Sequence, residues 1–123
     1  METSELEEKV YTALVSDTVL TGLLPNGESS ILHLQAPSTY PELPILVYSP
    51  ISDVPILHCD NSEELHRVTI RIHIITGKND YSKLYFEVKR IMTEMEFTRV
   101  QSTPFIDDGK KMMIADFRKV IGG

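Results

Sequence analysis

Residues 66–76, His-Arg-Val-Thr-Ile-Arg-Ile-His-Ile-Ile-Thr, constrain the fold more than any other stretch. Within them Val68, Ile70, Ile72 and Ile74 alternate with Arg67, Thr69, Arg71 and His73. Successive side chains on a strand point to opposite faces, so this period of two puts the β-branched residues on one face and cationic or polar groups on the other. One face requires a core; the other tolerates water. Parallel strands covered on both sides read as unbroken apolar runs instead, so the alternation predicts an antiparallel or mixed sheet with helices on one side only.

The flanking segments supply what would cover that strand. Apolar positions 6, 10, 13 and 14 share one helical face, with Ser4 as the expected N-cap and Glu7 completing a capping box. Asp17 restarts the pattern through Val19, Leu20, Leu23 and Leu24, and Pro25-Asn26-Gly27 stops it, so residues 4–24 read as N-terminal helices. Ser30 to Leu34 reads as a short strand. Pro37, Pro41 and Pro44 make 35–44 an extended loop, and Ile45 to Ser49 an apolar strand interior to the sheet. Pro55, Asp60, Asn61 and two glutamates make 52–65 a long loop in this reading, leading to a central strand at 66–76.

Beyond Gly77, with Asn79 or Asp80 as cap, Leu84, Val88, Ile91 and Met95 recur at helical spacing, flanked by Tyr81, Tyr85 and Met92. Residues 80–95 are therefore a long helix, expected on the face formed by Val68, Ile70, Ile72 and Ile74. Residues 97–121 form a hairpin turning at Asp107-Asp108-Gly109-Lys110, since Asp-Gly supplies the positive φ angles of a tight turn. Strand, helix and strand across 66–106 should make a right-handed crossover, to which the final hairpin adds an antiparallel edge. The expected fold is a single α+β domain spanning 1–123, in the order α-α-β-β-α-β-β.

Length permits one domain with a real core and not two. Apolar runs are too short for a membrane span, and the acids Glu2, Glu5, Glu7 and Glu8 are the opposite of a signal peptide's basic start, so an intracellular protein is expected. A single cysteine, Cys59, precludes an internal disulfide framework. The net charge of −6, with 18 acidic and 12 basic residues, argues against a protein that grips nucleic acid by its phosphates.

Chemistry is sparse. His58, Cys59 and His66, with Asp60, lie close in sequence but lack the paired spacing of a zinc site. There is no glycine-rich phosphate loop and no Gly-x-Ser-x-Gly elbow. Acidic clusters at the N-terminus and at Glu63-Glu64 read as solvated faces. No catalytic, cofactor-binding or metal residue is assigned, and the chain is not expected to be an enzyme. Arg67, Arg71 and His73 share the polar strand face without the exposed aromatics of an RNA-binding sheet, and are the candidate interface. His73 is expected to be solvated there, and Arg71→Glu to leave the fold intact while impairing assembly.

A helix ending in Leu14-Val15-Ser16-Asp17, the turn Val19-Leu20-Thr21-Gly22-Leu23-Leu24, the segment Pro44-Ile45-Leu46-Val47-Tyr48-Ser49, then an alternating strand, a helix and a hairpin form an ordered pattern. From about Glu5 to Val120 it resembles the tail-completion, or head-to-tail joining, proteins of long-tailed phages and prophages, which are similar in role to tail terminators. The resemblance implies a structural virion protein at the head-tail junction, made in the host cytoplasm. It would cap the tail tube and dock it to the head connector or stopper as a ring of copies of itself, commonly sixfold. DNA would pass through the lumen without specific binding, and no membrane would be involved. Two other readings remain: a stand-alone α+β binding module, regulatory or RNA-contacting, and a small hydrolase or metal-dependent enzyme using the His58–His66 region.

Overall fold

A computed structural model describes residues 1–33, 42–59, 62–77 and 80–122, the side chains of 58, 59 and 62–64 excepted. Helices α1 (Thr3–Ser16) and α2 (Thr18–Gly22) lead through a 3-10 turn (Gly27–Ser30) into strands β1 (Ile31–His33), β2 (Ile45–Cys59) and β3 (Ser62–Ile75). Helix α3 (Ser82–Glu94) and strands β4 (Thr98–Asp107) and β5 (Lys110–Gly122) follow. The fold is α+β: one mixed five-stranded sheet ordered β1-β2-β3-β5-β4, in which only β1 and β2 run parallel.

The alternating strand is the centre of this sheet. Val68, Ile70, Ile72 and Ile74 are all 0% exposed and pack in one cluster with Leu6, Val10 and Leu14 of α1 and Leu84, Val88, Ile91 and Met92 of α3. Each such burial contributes roughly 1.5–3 kcal/mol before conformational entropy is charged. On α3 the fully buried methionine is Met92, whereas Met95, at the helix end, is only partly covered.

Local chemistry sets the element ends. Helix α1 begins one residue before Ser4, and its capping pair is Glu2 with Glu5, whose carboxylate accepts from the Glu2 N–H at 3.5 Å. Asp17 caps α2 by accepting from Leu20 N–H at 3.0 Å. Tyr81, not the expected Asp80, takes the N-cap position of α3, and Asp80 one residue earlier accepts from the Ser82 N–H at 3.0 Å and its hydroxyl at 2.8 Å; the other expected cap, Asn79, lies outside the described residues. The β4–β5 turn uses Asp108 at φ 52° and Gly109 at φ 76°, the positive pair that Asp-Gly favours.

Three expectations change. Residues 52–65 are not a loop, because β2 and β3 pair antiparallel from Ile45↔Ile75 to Cys59↔Ser62, leaving only residues 60 and 61, outside the described residues, between them. Pro50 and Pro55 are accommodated because each adjoins a shift in register, where a bulge absorbs the missing N–H. The crossover from β3 through α3 to β4 does not join neighbouring strands, since β5 lies between them. β5 takes that place because Met113, Ala115, Phe117 and Ile121 are buried, whereas β4 is exposed along nearly its whole length. Finally, the face away from the helices is wet only in part. At one end Ile45, Val47, Ile75 and Met112 form a second buried cluster, with Leu32 and Leu43 against it. Of the expected loop at 35–44, residues 35–41 lie outside the described residues.

Candidate interaction surface

The three candidate interface residues share the outward face of β3, with Thr69 between Arg67 and Arg71, and each meets different surroundings. Cross-strand register puts Asp116 beside Arg71 and Ile114 beside His73. The Arg71 guanidinium donates to both Asp116 carboxylate oxygens, Nε at 2.8 Å and Nη2 at 3.1 Å. Gln101 from β4 donates to the same carboxylate at 2.9 Å. Asp116 is 3% exposed. Arg71 first, then Gln101, holds the Asp116 carboxyl below the usual carboxylate range against the opposing effect of burial. Arg71 is thus committed to an internal bidentate pair.

His73 is not solvated as expected. Its flanking positions are Val47 and Ile114, and its Nδ1 is buried with no hydrogen-bond partner. Burial, and next the Arg71 charge, push its pKa below the ordinary histidine value, with Asp116 and then the nearby Val47 backbone opposing. Arg67, nearer the hairpin end, is partly exposed between Val54 and Val120.

His66, one member of the cluster with metal-ligand chemistry, faces inward and is 5% exposed. Its Nδ1 lies 2.6 Å from Asp53 Oδ1 and its Nε2 3.1 Å from the Met1 carbonyl. Asp53 also accepts from the Thr3 hydroxyl. These contacts pin the start of α1 to the sheet. Thr3 first, then His66, lowers the Asp53 pKa. The side chains of His58 and Cys59, and all of Asp60, lie outside the described residues. Among the described residues no group of three or more His, Cys, Asp or Glu could hold a metal ion, and no helix is long and apolar enough to cross a membrane.

The surface that sequence reading missed is the distal β2–β3 hairpin. Ile51, Val54, Ile56 and Leu57 are 40–50% exposed, and Leu65 joins them from β3. Strand β1 covers β2 only at Leu46–Tyr48, so from Ser49 onward the outer edge of β2 has no strand beside it among the described residues. At the far side β4 is the other edge, with Val100, Phe105 and Ile106 exposed. The sequence holds only part of a signal for the hairpin, the β-branched Ile51, Val54 and Ile56.

The helix layer gives these edges opposite charge. Above β1 and β2, α1 places Glu8, and Glu7 with its Oε1 3.3 Å from His33 Nε2, along a groove of about 430 Å³ that also touches Tyr11 and Tyr48. Above β4, Arg99 lies 3.4 Å from the Tyr85 hydroxyl and Lys89 sits 4.3 Å from the Tyr85 ring centre. The chain matches no protein-family model and no curated protein.

Proposed function

We propose that this chain is a structural assembly protein of a phage or prophage virion, which closes the finished tail tube and joins it to the head connector as a ring of identical subunits. The observation that carries the reading is the distal β2–β3 hairpin, whose exposed Ile51, Val54, Ile56 and Leu57 present apolar side chains beside a strand edge that is unpaired among the described residues. Exposed apolar surface of that kind marks a protein contact. The order of elements, helix, short helix, apolar strand, alternating strand, long helix and hairpin, supports the tail-completion assignment over a generic binding module. In this reading the partners are further copies of the chain, the tail tube protein and the connector or stopper at the head. A net charge of −6 per subunit lets DNA pass through the lumen without being held. The place of action is the head-tail junction, after assembly in the host cytoplasm.

Electron microscopy of purified tail tubes, mixed with the protein, tests this. Added density at one end of the tube is expected. Tubes whose ends remain bare at saturating protein would overturn the assignment.

A further inference from the structure

We propose that copies of this chain associate head to tail, the β4 edge of one copy lying antiparallel beside the stretch of β2 in the next, Ser49–Val54, that no strand covers among the described residues. The proposal rests on the reading above and names the self-contact. Strand directions allow it: β2 and β5 run one way and β3 and β4 the other, so a continued sheet with its helices on the same face brings β4 antiparallel to β2. Level matching allows it too. Through the β3 and β5 registers, Thr98 stands level with Ser52 and Gln101 with Ser49, so the proline-free half of β4 meets β2 where β1 no longer covers it.

Charge selects a second copy as the occupant. In that arrangement Glu7 and Glu8 on α1 of one copy face Lys89 and Arg99 of the next, acid against base in the helix layer, while Ile51 and Val100 meet below them. Two β2 edges would set acid against acid, and two β4 edges base against base. Pro50 removes one donor within the run and Pro55 and Pro104 stand at its ends, so the backbone pairing is short, which favours a specific contact over an extended edge-to-edge sheet. A heterologous contact of this kind closes into a ring when the rotation per copy fits.

Sedimentation velocity on the full chain, from low micromolar to near-millimolar concentration, tests it alongside Ile51→Lys and Val100→Lys. Both sites are exposed, and thermal melts check that the variants stay folded. The wild type should assemble with rising concentration, and each variant should associate roughly tenfold more weakly or stay monomeric. A mixture of the two variants should stop at a heterodimer, because each retains the edge the other lacks. A wild type that stays monomeric throughout, or a single variant that still dimerises with itself, would overturn the contact. Either result leaves the tail assignment to the microscopy, and protein that assembles but never binds tube ends counts against that assignment alone.

Discussion

The imidazole of His73 shows how one residue can be read correctly for its face and wrongly for its surroundings. Alternation places it outward with Arg71, but Val47, Ile114 and the second apolar cluster enclose its Nδ1. A buried polar atom without a partner costs about 1–3 kcal/mol. His73→Leu should therefore raise stability by about 1 kcal/mol at neutral pH, read from denaturant midpoints. The sign of the pH dependence follows from a folded pKa lowered below the unfolded value. The unfolded chain binds the extra proton, so stability is complete above roughly pH 6.5 and falls as the pH drops below that value toward the folded pKa. The leucine variant should lose this window. It should keep the lower one, beginning near pH 3.9, that the depressed Asp116 carboxyl produces as it protonates and releases Arg71. The pair also changes what Arg71→Glu tests. That substitution sets a second carboxylate against a buried one, so a loss on the order of 3 kcal/mol is expected in place of an intact fold. Arg67, partly exposed, is the better probe of the face.

Among the elements, α3 ends on a feature no periodicity announces. Phe97 N–H donates to the Met92 carbonyl at 2.9 Å while Glu96 holds φ 68°, the left-handed stop that glycine adopts without cost. Glu96→Gly should stabilise the protein by about 1 kcal/mol, visible as a rise in melting temperature. The helix itself was legible because Leu84, Val88 and Ile91 repeat at its period, and the β4–β5 hairpin because Asp108-Gly109 satisfies a turn's φ angles. The β2–β3 hairpin was not. Pro50, Pro55 and the acids at 53, 63 and 64 are loop residues by composition, and the bulges beside the prolines make this stretch compatible with pairing. The insertion of β5 between β3 and β4 was equally hidden, because it depends on comparing burial demand between two strands, not on the pattern of either.

At the scale of the molecule, two forces of different range meet in any assembly of this chain. Each copy carries a net charge of −6, which repels other copies at long range, while in the proposed contact Glu7 and Glu8 would meet Lys89 and Arg99 at short range. Salt screens exposed charges beyond about 10 Å at 0.1 M and within about 3 Å at 1 M. It leaves apolar contact between Ile51 and Val100 largely intact. The two contributions therefore separate in one experiment. Lys89→Glu should weaken self-association at low ionic strength, and the deficit should shrink as sodium chloride rises. Ile51→Ser should weaken it by a similar factor at every salt concentration. Sedimentation of both variants across a salt series checks this, and a Lys89→Glu deficit that ignores salt would remove the acid-base match between copies from the account of how the edges find each other.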